Sequence, residues 1–199
     1  MKKMLNLHAW LPVSRVNGPG KRVVIWLQGC PLRCPGCFNP ETHDTSPRQL
    51  VTPEQLWEWV NRVPEVEGIT ISGGEPLLQA EALASFLQLV RHHSHLSVIL
   101  YSGYTLEQIE QLPHGREVLS LVDVLIAAPF EQNKPAHDGI RGSTNQRIHF
   151  LTDRYSLRDL MPRQRCEFII LPDGTIIQTG VSVMPPPAGS ALSPPHASS

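Results

Sequence analysis

The sequence predicts an α/β fold built on a parallel sheet, and two observations carry that prediction. Short apolar runs rich in β-branched residues alternate along the chain with segments whose apolar residues recur at helical spacing. The strand-like runs are apolar nearly throughout, as strands are when both faces of a sheet are covered. Alternation of this kind implies right-handed crossovers between parallel neighbours.

Val23-Val24-Ile25-Trp26-Leu27 reads as the first buried strand, ended by Gly29. Pro31, Pro35, Gly36 and Pro40 exclude regular structure from the loop that follows. Thr52-Pro53-Glu54-Gln55 starts a helix: Thr52 caps it, Pro53 suits the first position, and Gln55 completes a capping box. Leu56, Trp59, Val60 and Val63 continue at helical spacing until Pro64. Gly68-Ile69-Thr70-Ile71-Ser72 is the next strand, ended by Gly73-Gly74-Glu75-Pro76. A helix from Ala80 to His92 carries Leu83, Phe86, Leu87 and Val90 on one face. The strand Ser97–Tyr101 ends at Ser102-Gly103, a short helix spans Leu106 to Gln111, and Val122–Ile126 is a further strand. Near the C-terminus, Phe168–Ile170 and Thr175–Ile177 flank Pro172-Asp173-Gly174 as a β-hairpin. Residues 1–180 are expected to form a single domain, and the Pro-, Ala- and Ser-rich stretch 181–199 a disordered tail.

The chain has 199 residues, 41% of them hydrophobic and 18% charged, which suits one globular core. A net charge of −1 gives no overall field for nucleic acid or an anionic membrane. No stretch is long and apolar enough to span a bilayer. Asn6 and His8 interrupt the N-terminal segment, so no signal peptide is read and the expected compartment is the cytoplasm. Three of the four Cys crowd into one loop, and in a reducing compartment such a group reads as metal binding.

That loop, Cys30-Pro31-Leu32-Arg33-Cys34-Pro35-Gly36-Cys37, carries the strongest chemical signal. Thiolates favour iron–sulfur clusters, zinc or cuprous copper. A four-iron cluster normally takes four Cys; three would leave one iron open to a substrate or cofactor, as catalytic metals require. The plainer alternative is a zinc site completed by Cys166 or His43. The second signal is Ser72-Gly73-Gly74-Glu75-Pro76-Leu77: two Gly at a strand's C-terminal end let a ligand approach the backbone, and a carboxylate there can pair with a cation. Its alternative is an ordinary strand-to-helix turn. The third, Tyr101-Ser102-Gly103-Tyr104-Thr105, ends the following strand and should face the same ligand, although Thr105 has a simple role as a helix cap.

Cys-x3-Cys-x2-Cys after the first strand, followed by Gly-Gly-Glu-Pro, resembles the radical SAM superfamily. The resemblance implies a partial (β/α) barrel with a [4Fe-4S] cluster on Cys30, Cys34 and Cys37. It also implies S-adenosyl-L-methionine at the open iron, contacted by Gly36, Cys37, Phe38, Gly73, Gly74, Glu75, Pro76 and Ser102. One electron from the cluster would break the sulfonium C–S bond, and the 5′-deoxyadenosyl radical would abstract a hydrogen atom. Phe38 would pack near the adenine, and the Gly-Gly-Glu-Pro run would hold the methionine amino group. No general acid or base is implied.

Val16-Asn17-Gly18-Pro19-Gly20-Lys21-Arg22, Phe38-Asn39-Pro40-Glu41-Thr42, Asp123–Ile126, Pro129-Phe130 and Arg141-Gly142-Ser143-Thr144-Asn145-Gln146-Arg147 narrow the resemblance to the activating proteins of anaerobic (class III) ribonucleotide reductase, from about Asn17 to Leu151. It implies that the hydrogen comes from a Gly of a large glycyl radical enzyme subunit, with reduced flavodoxin or ferredoxin as electron donor. Such proteins commonly carry Asp where Glu75 stands, and an Asp-Gly pair where this chain has Ala127-Ala128. Arg141 and Arg147 either dock the partner or cofactor, or are ordinary loop arginines. Cys166 reads as a buried strand thiol. Two other functions compete: a small radical SAM enzyme acting on a small molecule or peptide, similar to 7-carboxy-7-deazaguanine synthase, or a non-enzymatic metal-binding module.

Overall fold

The computed structural model describes residues 3–161, 166–170, 174 and 176–180. Nine strands and four helices are assigned among them: β1 (Leu5–Ser14), β2 (Arg22–Leu27), β3 (Gln49–Val51), α1 (Pro53–Asn61), β4 (Gly68–Gly73), α2 (Ala80–His93), β5 (Ser97–Ser102), α3 (Leu106–Gln111), α4 (Gly115–Ser120), β6 (Val124–Ala127), β7 (Arg147–Phe150), β8 (Cys166–Ile170) and β9 (Ile176–Gly180). The expected tail, 181–199, lies outside the described residues.

Seven strands form one open sheet in the order β3-β1-β2-β4-β5-β6-β7. The contiguous group β2, β4, β5 and β6 is parallel, as the apolar runs predict. The expectation of a parallel sheet fails at both margins. There β1 pairs antiparallel with β2 and β3, and β7 pairs antiparallel with β6. These margins are polar or interrupted in sequence: Asn6 and His8 break the β1 run, and β7 lies in and beyond the polar Arg141–Arg147 stretch. An antiparallel strand needs only one apolar face, so it lacks the continuous apolar run that marks a buried parallel one. The two-stranded hairpin β8-β9 forms as expected.

The helices start where the residues direct. At α1, Thr52 Oγ1 accepts from the Gln55 amide while Gln55 Oε1 accepts from the Thr52 amide, a complete capping box. Thr105 and Gln108 repeat that box at α3. Helix α2 buries Leu83, Phe86, Leu87 and Val90 against β1, β2, β4 and β5 residues such as Leu7, Ile25, Ile71 and Leu100. Each large apolar side chain so buried contributes roughly 1.5–3 kcal/mol. Arg91, in the last turn of α2 where a cation suits the helix dipole, pairs with Asp123 at 2.9 Å. Asp123 also accepts from the Val98 amide and the Thr152 hydroxyl, tying α2, β5 and the segment after β7 together.

The other side of the sheet holds a smaller apolar group, Ile99, Val124, Ile126, Ile140 and Leu160. At the N-terminal ends of the parallel strands it gives way to Arg22, which is fully buried. Its guanidinium donates to Thr70 Oγ1, to Ser97 Oγ and to the carbonyls of Pro19, Ile69 and Ser97. That end is closed, leaving the C-terminal ends of β2, β4 and β5 for a site.

Candidate functional site

The cysteine loop leaves the C-terminal end of β2 and returns to it. The Gly29 amide donates to the Thr42 carbonyl at 2.8 Å and the Cys30 amide to the His43 carbonyl at 3.3 Å. Between these anchors Arg33 (φ +47°) and Gly36 (φ +70°) adopt left-handed conformations, and the Cys37 amide donates to the Cys34 carbonyl at 3.1 Å. The chain therefore coils tightly enough to bring Cys30, Cys34 and Cys37 to one cavity. All three are free thiols.

Backbone amides reach two of the three sulfurs. Backbone amides of Leu32 and Arg33 hydrogen-bond Cys30, and the Asn39 amide donates to Cys37 Sγ at 3.4 Å. Amide donors to sulfur stabilise thiolate and tune cluster potential. Burial acts the other way and pushes both thiols up, so in the metal-free protein they favour the protonated form. Among the described residues no three His, Cys, Asp or Glu side chains are gathered around a single-ion position. A four-iron cluster asks for something different, since each thiolate meets its own iron. Of the two side chains proposed for a zinc alternative, His43 lines the cavity with a buried, unpartnered Nε2, whereas Cys166 sits on β8 opposite Gly180 and does not line it.

Gly73 and Gly74 are needed for a contact the sequence does not reveal. Gly73 has φ +104°, and a Cβ there would lie 2.4 Å from the Leu27 nitrogen; on Gly74 it would lie 2.2 Å from the Gly29 oxygen. The close approach is thus first to the chain's own backbone. The Gly74 amide donates to the Leu27 carbonyl at 2.7 Å and the Glu75 amide to the Gly29 carbonyl at 2.8 Å. This turn clamps the root of the cysteine loop.

Glu75 is fully buried. Its carboxyl accepts from the Leu77 amide at 2.9 Å, the Ser102 hydroxyl at 2.9 Å and the Gly103 amide at 2.8 Å. Burial dominates these three bonds and pushes its pKa up to about 7. Leu32 from the cysteine loop packs so closely on Gly103 that a Cβ there would meet it at 2.2 Å. Phe38 packs against Phe130, ring centroids 4.8 Å apart, and both rings cover Gly142.

The three Cys, Phe38, Gly73, Gly74, Glu75 and Ser102 all line the same cavity of about 760 Å³, within the usual size of cofactor sites. Gly36 and Pro76 shape its turns without lining it: Gly36 lies beside Gln132, and Pro76 opens a short 3-10 turn capped by Glu75. Thr105 takes its plain role as a helix cap. Arg141 pairs with Asp138 and donates to the Thr144 and Gln146 carbonyls, so it holds its own loop. Gln146 takes the amides of Gly142 and Ser143 on Oε1 and donates to the Ala128 carbonyl, fixing the wall beside Phe130. Sequence reasoning missed His8, Trp26, Gln28 and Gln79. His8 and Trp26 line the cavity, while Gln28 and Gln79 bond the ends of β1, β2 and the cysteine loop together. No motif marks them; pairing of β1 with β2 is the signal.

The 4Fe-4S single cluster domain model matches residues 16–149, a span that includes the cysteine loop, the Gly-Gly-Glu turn and Gln146. The anaerobic ribonucleoside-triphosphate reductase-activating protein of Enterobacteria phage T4 is 34% identical over 154 residues, 75% of this chain and 96% of that protein. Its counterpart in Escherichia coli (strain K12) is 31% identical over 156 residues, 74% of this chain and 99% of that one. The chain belongs to this family of activating proteins. Among solved structures, QueE from Escherichia coli aligns at TM-score 0.41 and 18% identity, over 51% of this chain and 53% of that chain, a partial likeness that decides nothing about function. Ala128 in the wall beside Phe130 has φ +102°, a conformation that favours glycine.

Proposed function

We propose that this protein is a radical SAM activase that installs a glycyl radical on a large partner subunit, an anaerobic ribonucleoside-triphosphate reductase. The observation that carries the reading is that Cys30, Cys34 and Cys37 open on the same cavity as Gly74, Glu75 and Ser102. Cys30, Cys34 and Cys37 would hold the cluster through their thiolates and would leave one iron open for the amino acid end of S-adenosyl-L-methionine. The cluster, when bound, supplies the single electron that splits the sulfonium into methionine and an adenosyl radical, which takes a hydrogen atom from the partner's Gly. The residues of this chain bind and orient. Glu75 presents a carboxyl at the C-terminal ends of the strands, where it becomes ionised when a cationic amino group arrives beside it. Phe38 and Phe130 offer an aromatic face for adenine.

The electron comes from a reduced flavodoxin or ferredoxin. With no helix among the described residues long and apolar enough to cross a membrane, and a net charge of −1, the reading needs neither membrane nor nucleic acid.

The test is anaerobic reconstitution with iron and sulfide, then addition of S-adenosyl-L-methionine and dithionite. The expected result is 5′-deoxyadenosine, with a glycyl radical signal when the reductase large subunit is added. Product that persists in Cys30→Ala, Cys34→Ala and Cys37→Ala proteins would overturn the reading.

A further inference from the structure

One residue that lines the cavity carries a buried polar atom with no partner among the described residues. His8 is 5% exposed and lines the cavity, and its Nε2 is buried without a hydrogen bond. It lies ahead of the residues matched by the cluster-domain model.

Its orientation comes from a β-bulge. Leu7 pairs with Leu27 but Ala9 pairs with Trp26, so β1 carries one extra residue at His8. Leu5 and Leu7 face the helix-side core. The inserted residue puts both His8 and Ala9 on the cavity side and turns Trp10 back to stack on Trp59 of α1 at 5.8 Å. Bulges re-aim side chains in this way beside active sites.

The neighbours of His8 also set its tautomer. Gln28 Nε2 donates to the Glu41 and Asp44 carbonyls, so Gln28 Oε1 is an acceptor. It lies 2.7 Å from His8 Nδ1, which must therefore carry the proton. Burial is the largest influence on the ring and favours its neutral form. Nε2 is then an acceptor without a partner on a residue that lines the cavity, and an unpartnered buried acceptor is costly unless a ligand satisfies it.

Resting on the activase reading, we propose that His8 is a positioning residue for the protein substrate: its Nε2 accepts a hydrogen bond from a backbone N–H of the partner's glycine-bearing segment. Other residues of the cavity favour a peptide over the cofactor. Gln178, Thr179 and Gly180 of β9 also line it, and among the described residues β9 is paired along one edge only. A strand edge is a template for an extended backbone. The cofactor contacts assigned above lie instead on the cysteine loop and the ends of β4 and β5.

The test compares His8→Asn, which keeps a donor toward Gln28 and removes the cavity acceptor, with His8→Gln, which places an acceptor near the lost Nε2. The probes are the large subunit of an anaerobic ribonucleoside-triphosphate reductase and a synthetic peptide spanning its radical-bearing Gly. For His8→Asn, peptide affinity for the metal-free protein falls about ten-fold, as expected for loss of one good hydrogen bond, and KM for the large subunit rises to match. Glycyl radical formed per 5′-deoxyadenosine falls with it. His8→Gln recovers most of the peptide affinity, and iron content and thermal midpoint check folding in both. If His8→Asn does not fold, His8→Gln carries the test alone, and its failure to bind peptide overturns the proposal. Unchanged peptide affinity and KM in His8→Asn overturn it too, as does a loss of S-adenosyl-L-methionine affinity equal to the loss of peptide affinity. Wild-type protein with a full cluster and no 5′-deoxyadenosine fails in a different place: it overturns the activase reading and this proposal with it.

Discussion

The carbonyl oxygen of Gly29 lies so near Gly74 that a Cβ added to Gly74 would sit 2.2 Å from it. The same carbonyl accepts the Glu75 amide at 2.8 Å. The turn after β4 is therefore joined directly to the root of the cysteine loop.

Gly74→Ala should break that junction. Backbone cannot yield as a flexible side chain does, so the cost is about 3 kcal/mol or more. The expected outcome is a lowered thermal midpoint and substoichiometric iron after reconstitution, although every cysteine is intact. Wild-type iron content in a well-folded Gly74→Ala protein would show that the clamp does not position the ligands.

Ala128→Gly should stabilise the protein. Ala128 holds φ +102°, a conformation side chains rarely adopt, and strain of this kind costs about 1–3 kcal/mol. Gly loses roughly 0.5–1 kcal/mol of that gain through its freer unfolded chain. A net gain of about 1 kcal/mol raises the midpoint of a protein this size by about 2–4 °C, measurable by calorimetry on the metal-free form.

Glu75 makes stability depend on pH in an unusual direction. Its folded pKa is about 7 against an ordinary 4.5. Between those values the folded protein keeps a proton that the unfolded chain has released, so stability falls as pH rises through the window. The whole effect is on the order of 3 kcal/mol. Urea unfolding of the metal-free protein at pH 5 and pH 8 should show a larger loss in wild type than in Glu75→Gln. Equal losses would mean that the carboxyl is already ionised in the folded state.

Cys166 should be dispensable for the cluster. It is half-buried on β8 and does not line the cavity. Cys166→Ser is expected to retain the iron and visible absorption of wild type, whereas Cys30→Ser, Cys34→Ser and Cys37→Ser each lose most of both. Loss of iron in Cys166→Ser would make it a fourth ligand.

The amino-acid sequence alone determined the central parallel strands, helices α1 to α3 and the cysteine, Gly-Gly-Glu and Ser-Gly segments. Their information is local: an apolar run long enough to bury, a capping box within four residues, ligand spacing within one loop. Tertiary structure decided the rest. That Gly73 and Gly74 are required by Leu27 and Gly29, that Glu75 is buried on Ser102 and Gly103, and that Arg141 serves its own loop are facts about residues distant in sequence or about competing partners. The antiparallel strands β1 and β7 were illegible because an antiparallel strand needs only one apolar face. His8 was illegible for a related reason: a single extra residue in β1, visible only once β1 is paired with β2, turns its ring toward the cavity.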